Sequence, residues 1–322
     1  METPYQHVKE VLSRDEIREL VTPRNTKALL SLFVTWGLIA SSFALVWWWT
    51  HPVTVLLALI VLGGRQLGLA ILMHDAAHRV LFRQRWLNDW VGKWLCAAPI
   101  WQRLHDYRTH HLSHHAHTGT EEDPDLGLSE PFPTSTGSML RKFARDLFGI
   151  SGLKRIYGLL AMDLGYIAYT ASVKVTSLDQ SNRTWVDKLR TLAIHFTPVL
   201  LTNVVLWGVL FLLGVGWMYT LWVVAYLTTF SLFIRIRSFA EHACTHDSSN
   251  LFLNTRTTYA NILAKLTVAP HNVNYHLEHH LLMTVPHYNL PTFHTMLKER
   301  GALEQSPIAS GYGQVLREVT QV

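Results

Sequence analysis

Four long apolar runs, arranged as two close pairs, limit what this chain can fold into. The first pair covers residues 28–49 and 53–73, and the second covers residues 189–213 and 217–234. Each run has about the 20 residues that a helix needs to cross a lipid bilayer. Only a short connection separates the two members of each pair, which favours helical hairpins. We therefore predict an all-α integral membrane protein with four transmembrane helices in two hairpins.

The basic residues predict how these helices are oriented. Neither short connection contains Lys or Arg, whereas both residue types occur in residues 1–27, 74–188 and 235–322. Because cytoplasmic loops carry an excess of basic residues, we assign these three segments to the cytoplasm. Residues 1–322 then form a single domain, in which 1–27 is a cytoplasmic N-terminal segment and the other two segments build a helical cap. We expect a multi-pass protein of a bacterial inner membrane.

The composition supports a membrane protein and excludes several other classes. The chain is 49% hydrophobic and its mean hydropathy is +0.13. The formal net charge is +5, but the sequence contains no block of Lys and Arg like those that bind nucleic acids. The two cysteines, Cys96 and Cys244, are too few for a disulfide framework or an iron–sulfur site.

Two shorter apolar segments are expected at the membrane surface. Residues 153–173 are nearly long enough to cross but contain Asp163, so we predict an interfacial helix. Residues 90–101 are too short to span and are expected to lie in the interface or to re-enter. If residues 153–173 did cross, the C-terminal part of the cap would be separated from residues 74–152 by the membrane.

Three histidine clusters flank the apolar segments, and we call them boxes 1, 2 and 3. Box 1 is HDAAH at residues 74–78, box 2 is HHLSHH at residues 110–115, and box 3 is HLEHH at residues 276–280. On a helix, residues at i, i+3 and i+4 share one face, so each box can direct its imidazoles at one point. The sets with this spacing are His74 and His78, then His111, His114 and His115, and finally His276, His279 and His280.

These histidines indicate a metal site. Imidazole nitrogen is a common ligand of iron, zinc, copper and nickel. Three boxes on one predicted side of the membrane supply more ligands than a single ion takes. A solvated polar surface is the alternative for any one box, but it does not account for three of them. We interpret the boxes as a catalytic centre at the cytoplasmic surface.

The order of the boxes resembles the membrane fatty acid desaturase superfamily. The matching motifs are HxxxH in box 1, YRxxHLxHH followed by DPD around box 2, EH at residues 241–242, and HxxHH in box 3. The superfamily includes acyl desaturases, fatty acyl hydroxylases and carotenoid-modifying oxygenases. The resemblance implies a non-haem di-iron centre that uses O2 to attack an unactivated C–H bond.

The resemblance also implies which residues bind the two iron ions. Alignment on YRxxHLxHH starts the ligands of box 2 at His111 and leaves His110 as an extra residue, although His110 and His114 also have i, i+4 spacing. His242 resembles a ligand outside the boxes, and a capping or loop residue is its alternative. The implied ligands are His74, His78, His111, His114, His115, His242, His276, His279 and His280.

Histidine ligands usually donate their second ring N–H to a carboxylate or a carbonyl. Asp123 and Asp125 are candidates, although both could instead form a turn around Pro124. Asn272 and Asn274 precede box 3 and could hold a metal-bound water, but a helix cap is the favoured role for both. The remaining candidates for contacts just outside the ligands are Asp75, Glu241, Glu278 and His110. Other histidines near the boxes are expected as outer partners or surface residues: His105, His117, His246, His271 and His287.

The leading functional hypothesis is oxygen-dependent desaturation of a fatty acyl chain. The chain has no GxGxxG nucleotide fingerprint, no CxxCH haem motif and no iron–sulfur cysteines. Its electrons must therefore come from an external donor such as a ferredoxin, a rubredoxin or a cytochrome with its reductase. A basic cytoplasmic surface could dock an acidic donor.

Three other hypotheses remain open at this point. The same centre could hydroxylate, ketolate or oxidatively decarboxylate a lipid or a carotenoid, because the outcome depends on how the substrate is placed. A membrane zinc hydrolase would use HDAAH as a variant of the HExxH motif with Asp75 as general base, leaving the other boxes surplus. A metal transporter would carry its ligands within the spans rather than beyond their ends.

Overall fold

The computed structural model describes residues 4–245 and 250–321. Regular structure in these residues is almost entirely helical, with one pair of short parallel strands, β1 (Thr257–Thr258) and β2 (Ile308–Ala309). The α-helices are α1 (Pro4–Val11), α2 (Arg14–Val21), α3 (Asn25–Trp48), α4 (Pro52–Ala77), α5 (Arg85–Val91), α6 (Leu104–His117), α7 (Leu126–Ser129), α8 (Thr136–Leu147), α9 (Ile150–Asp163), α10 (Trp185–Leu212), α11 (Tyr219–Leu227), α12 (Thr229–His242), α13 (Ile262–Leu266), α14 (His276–Leu281), α15 (Leu290–Glu299) and α16 (Tyr312–Glu318).

Four helical stretches are long and apolar enough to cross a membrane. They are Arg14–Trp48, Pro52–Ala77, Trp185–Leu212 and Gly216–His242. These stretches cover the four predicted apolar runs, which confirms a mostly helical chain with four candidate spans. The second stretch continues past the predicted end at residue 73, so that box 1 lies on the last turn of α4 and not after it.

Local sequence signals mark the residues at which two of the long helices begin. At the start of α4, Pro52 occupies the first turn and the His51 imidazole accepts a hydrogen bond from the backbone N–H of Val53 (3.3 Å). At the start of α10, Asp187 Oδ2 accepts from the backbone N–H of Thr184 (2.9 Å), and Thr184 Oγ1 accepts from that of Asp187 (3.3 Å). These reciprocal bonds satisfy amide groups that have no partner within the helix.

The second half of α4 is the centre of the molecule. Val53, Leu56 and Leu57 near its start are exposed, whereas almost every residue from Leu62 to Ala77 is buried. Two glycines permit this burial. A Cβ at Gly64 would lie 2.0 Å from the Leu266 carbonyl oxygen, and one at Gly63 would lie 2.2 Å from Thr229 Oγ1. Other backbone therefore packs directly against α4 about three turns before box 1.

The fourth candidate span is interrupted between α11 and α12. Thr228 has φ −110° and ψ −87°, which lies outside the helical region. Helix α9 packs across this break, because Gly152 has no side chain to clash with Leu227. Arg155 on α9 donates to the Tyr226 carbonyl and to Ser231 Oγ, which satisfies polar groups that the broken helix leaves open.

The two shorter apolar segments are only partly helical. The helix predicted over residues 153–173 ends at Asp163, whose carboxylate accepts from the Trp101 indole N–H (2.9 Å) and from Arg103 (3.2 Å). This buried pairing fixes the end of α9, and the chain beyond it forms no helix up to residue 173. Residues 90–101 consist of the end of α5, a π-helix (Gly92–Ala97) and a 3₁₀ turn (Ala98–Ile100).

Separate apolar clusters hold the helices that carry the other boxes. Leu104 at the start of α6 packs with Leu72 and Ala76 of α4. Leu277 and Leu281 of α14 pack with α1, α2 and α15. Phe239 near the end of α12 belongs to a third cluster with residues of α8 and α16. The ends of α4 and α12 are thereby brought to the same region as α6 and α14.

Candidate metal centre

Four helices deliver the nine predicted ligands. Box 1 occupies the C-terminal end of α4, where His78 is the C-cap residue. Box 2 lies on α6 and box 3 on α14, so both have the helical spacing that was predicted. His242 is the last residue of α12.

The nine histidines form two groups, each of which could hold a metal ion. Within a group, one nitrogen from each residue lies within 4.8 Å of all the others. The expectation that each box converges on a single point is wrong for boxes 2 and 3, which contribute to both groups. Group A is His74, His78, His111, His115 and His279, and group B is His114, His242, His276 and His280.

The facing nitrogens fit metal ligation. In group A, His115 Nε2 lies 3.1 Å from His111 Nε2 and 2.9 Å from His279 Nε2. In group B, His276 Nε2 lies 2.8 Å from His242 Nε2. Ring nitrogens this close to one another aim their lone pairs at a common point, as ligands of one ion do.

Several other ring nitrogens are buried and have no hydrogen-bond partner among the described residues. They are Nε2 of His74, of His78 and of His280. A buried polar atom without a partner is costly, and native structures rarely keep one without a reason. A metal ion in each group would satisfy these atoms, so the side chains present fit the ions that the resemblance implies.

Burial also keeps the imidazoles in the protonation state that ligation requires. It lowers the pKa of His78, His111 and His115 well below the usual range, and the neighbouring histidines lower it further. It does the same to His279 and His280. Because metal ions bind neutral imidazole, little competition from protons is expected at neutral pH.

In three of the group B histidines, an oxygen atom of another side chain lies near Nδ1 of the ring. His114 Nδ1 lies 2.8 Å from Asp123 Oδ1, and His276 Nδ1 lies 3.5 Å from Glu241 Oε1. Thr118 Oγ1, which the sequence did not suggest, lies 3.3 Å from His280 Nδ1. Burial acts to lower the pKa of His114, but the bond with Asp123 and the charges of Asp125, Asp123 and Glu241 together outweigh it and leave that pKa raised. These oxygens leave Nε2 as the nitrogen that faces the group.

The acidic loop after box 2 has both roles that were considered for it. Asp123 contacts His114 and also forms a turn, because its carboxylate accepts from the backbone N–H groups of Gly119 (2.9 Å) and Asp125 (2.8 Å). Asp125 Oδ1 lies 2.9 Å from His110 Nε2. His110 belongs to neither group, in agreement with the alignment that left it as an extra residue.

The expected partners next to box 3 have other contacts. Glu278 Oε2 accepts from Thr257 Oγ1 (2.5 Å) and its Oε1 lies 2.6 Å from His294 Nδ1. Asn274 donates to the Thr258 carbonyl. The helix-cap role expected for Asn272 and Asn274 is wrong, because Tyr275 is the residue that precedes α14. Box 3 is thus tied to β1 instead of being capped by its asparagines.

Two contacts near the groups follow helical spacing that the sequence could have revealed. Arg237 Nε donates to Glu241 Oε1 (2.6 Å), four residues along α12. The Tyr107 ring stacks on His111, four residues along α6, with centroids 5.2 Å apart and planes 9° apart. Of the other histidines, His105 and His117 are exposed, His287 is buried, and His246 lies outside the described residues.

An apolar groove lies beside the segment that leads into α6. Its volume is about 350 Å³, and its walls come from the Ala98–Ile100 turn with Trp101, α9, α10 and α11. One polar pair interrupts the apolar lining, where Tyr219 donates to Asn203 Oδ1 (2.9 Å). His111 is seven residues along α6 from Leu104, which corresponds to about 10 Å of helix. The groove wall at Ile100 and Trp101 is therefore only a few residues before the helix that carries box 2.

Replacing Asp123 by Asn is expected to weaken metal binding by group B about tenfold, because such outer partners orient a histidine ligand. The measurement is the metal retained by purified protein in a series of chelator concentrations. Asp179→Asn is the matched control, since Asp179 forms a similar turn with Ser181 and contacts neither group. Equal metal retention in both variants would contradict the role given to Asp123.

Comparison with known proteins identifies the family. The family model described as fatty acid desaturase matches residues 46–311. A dihydrorhizobitoxine desaturase of Bradyrhizobium elkanii is 31% identical over 76% of this chain, and the match spans 66% of that relative, slightly less than two thirds. An sn-1 oleoyl-lipid 12-desaturase of Synechocystis is 26% identical over 88% of this chain and 79% of its own length. A beta-carotene ketolase of Paracoccus is 26% identical over 85% of this chain and 96% of its own length. The chain therefore belongs to the fatty acid desaturase family, whose members are oxidoreductases.

Proposed function

We propose that this protein is a membrane-bound di-iron enzyme that desaturates a fatty acyl chain with O2. The observation that carries the proposal is the convergence of all three boxes on two adjacent histidine groups in a chain of this family. Bound iron would supply the activation of O2 that attack on an unactivated C–H bond needs. The net reaction takes two hydrogens from adjacent methylenes and, with two electrons from a donor and two protons from solvent, reduces O2 to two waters.

The protein's own residues would prepare this reaction in two ways. Groups A and B would each bind one ion, and Asp123, Glu241 and Thr118 would orient imidazoles of group B. Burial of most of these histidines would keep bulk water from a strong oxidant.

The groove supports a lipid as the substrate. It is bounded by α10 and α11, which belong to candidate spans, and it is almost entirely apolar. A hydrocarbon chain from the bilayer could enter it from the side and reach the segment before α6. The names of several relatives, sn-1 oleoyl-lipid 12-desaturases, support an acyl chain esterified in a lipid.

A second candidate reaction is ketolation of a carotenoid. Two beta-carotene ketolases of Paracoccus are 26% and 28% identical over 85% and 82% of this chain. The same groups and the same groove would serve that reaction, together with the related hydroxylation. The zinc hydrolase hypothesis is not retained, because the family consists of oxidoreductases and no box is surplus to the two groups.

The electron donor would be a separate protein. One relative is named a ferredoxin-dependent acyl-lipid omega-3 desaturase, which supports ferredoxin among the candidates of ferredoxin, rubredoxin and cytochrome. A soluble donor requires the two groups on the cytoplasmic side, as the basic loops predict. The relatives compared above are bacterial, which supports a bacterial inner membrane.

The decisive experiment expresses the chain in a bacterial host with ferredoxin and its reductase, then compares total lipids and carotenoids by mass spectrometry. Loss of two hydrogens from an acyl chain supports the proposal. Gain of one oxygen with loss of two hydrogens in a carotenoid supports ketolation instead. Iron analysis of the purified protein should give two ions per chain, and one zinc without iron would contradict both.

Leu200→Trp should reduce lipid turnover about 5- to 150-fold, because an oversized side chain in the space that the substrate would fill costs about 1–3 kcal/mol and each 1.4 kcal/mol is a factor of ten. Leu201→Trp is the matched control, since Leu201 is similarly exposed (48% against 50%) on the same helix but does not line the groove. Both variants are assayed for product in membranes that contain equal protein. Equal product from the two would contradict a role of the groove in substrate binding.

A further inference from the structure

His287 lies outside the spacing of the boxes, and from the sequence it could be either an outer partner of the metal centre or a surface residue. It is nevertheless 3% exposed and sits between α3 and α4. Its Nδ1 lies 2.7 Å from Asp75 Oδ2, and its backbone N–H donates to the same oxygen (2.9 Å). Its Nε2 lies 2.8 Å from Ser31 Oγ on α3. Each ring nitrogen therefore has a partner on a different candidate span.

Asp75 connects His287 to group A. Its other oxygen, Oδ1, lies 3.5 Å from Nδ1 of His74. Because Nδ1 of His74 faces this carboxylate, Nε2 is the nitrogen left for the metal. Both residues are almost fully buried, so water cannot replace the contact. The position of the Asp75 carboxylate decides how the His74 ring is turned.

The backbone before box 3 reinforces this arrangement. His271 and Asn272 adopt left-handed conformations, with φ of 53° and 57°, which non-glycine residues hold only when their surroundings impose it. His271 Nε2 lies 2.8 Å from Thr35 Oγ1 on α3, and Asn272 donates to the His287 carbonyl (3.2 Å). The segment is thus held against α3 by His271 and against the backbone of His287 by Asn272.

We propose that His287 is a positioning residue for group A. It holds the Asp75 carboxylate, which orients His74 toward the metal, and through Ser31 it ties that orientation to α3. Carboxylate partners of this kind fix the ring orientation and the basicity of a histidine ligand. The inference rests on metal binding by group A, which is part of the proposed function, but not on the identity of the substrate.

The two ring nitrogens of His287 allow a test that separates positioning from simple filling of space. An Asn amide occupies about the place of Nδ1, and a Gln amide reaches about the place of Nε2. His287→Asn therefore keeps a donor to Asp75 and loses the bond to Ser31. His287→Gln does the opposite, and His287→Leu keeps neither. A role in packing alone predicts no such difference between Asn and Gln.

The experiment titrates metal-free protein in lipid nanodiscs with Co²⁺ and follows both the ions bound per chain and the ligand-field absorption. Wild type and His287→Asn should bind two ions with similar affinity. His287→Gln and His287→Leu should bind one ion normally and the other about 10- to 100-fold more weakly, with a changed spectrum for that ion.

Asn289→Leu is the matched control, because Asn289 is buried in the same segment and donates one buried hydrogen bond, to the Leu20 carbonyl, but does not touch Asp75. It should bind two ions as the wild type does. Equal behaviour of Asn and Gln at residue 287, or loss of one ion in Asn289→Leu, would overturn the proposal. Wild type that binds two ions but oxidises no lipid would contradict the proposed function and leave this inference standing.

Discussion

His279→Ala is expected to abolish oxidation and to remove one of the two metal ions. Its Nε2 lies 2.9 Å from that of His115, and its ring is in contact with those of His74 and His78 at centroid distances of 4.4 and 4.9 Å. His279 is therefore the residue that box 3 contributes to group A. We expect activity to fall by more than the roughly 10- to 100-fold that loss of an outer partner costs.

The measurements are product formed per chain and iron bound per chain. His117→Ala is the control, because His117 is an exposed histidine at the end of α6 whose ring nitrogen is bonded only to the Ser113 carbonyl among the described residues. It should retain both iron and activity. Normal product from His279→Ala in membranes would count against the di-iron proposal as a whole.

His242→Ala is expected to have an effect of similar size, although His242 lies outside the boxes. Its Nε2 faces that of His276 at 2.8 Å, and its ring lies 4.9 Å from His114 and 5.1 Å from His280. Group B contains only four histidines, so removal of one leaves three protein ligands and an open position. We expect loss of iron from group B and loss of activity by more than about 100-fold.

Ser238→Ala tests whether such a loss is specific to the ligand. Ser238 lies one turn earlier on α12 and donates only to the Ile234 carbonyl, four residues before it. This variant should retain two iron ions and nearly full activity. If the His242→Ala enzyme were active, His242 would not be a metal ligand. It would then have the alternative role considered from the sequence, that of a capping or loop residue.

Much of the fold could be predicted because local signals determined it. The four apolar runs became four candidate spans, and the spacing of boxes 2 and 3 became α6 and α14. The interruptions of regular helix were harder to predict from the sequence. Thr228 interrupts the fourth span where α9 supplies Arg155 as a partner for the open carbonyl, and the partner is more than 70 residues away in the chain.

Histidine spacing identified the metal centre but not how its ligands are shared. Spacing determines the direction of each imidazole relative to its own helix axis. It does not determine how α4, α6, α12 and α14 are rotated against one another. Group A and group B arise from that rotation, which places His111 and His115 in one group and His114, between them in sequence, in the other.

The sequence by itself determined three features of this protein: helices that suit a membrane, imidazoles at helical spacing, and the motifs of the fatty acid desaturase family. The tertiary structure alone decided the two groups, the turning of His110 toward Asp125, and the contact of His287 with Asp75 across 212 residues. The physical reason is that helical period and apolar content are properties of neighbouring residues. The packing of buried helices, in contrast, depends on glycines, carboxylates and cluster residues that are distant in the chain and leave no periodic signal.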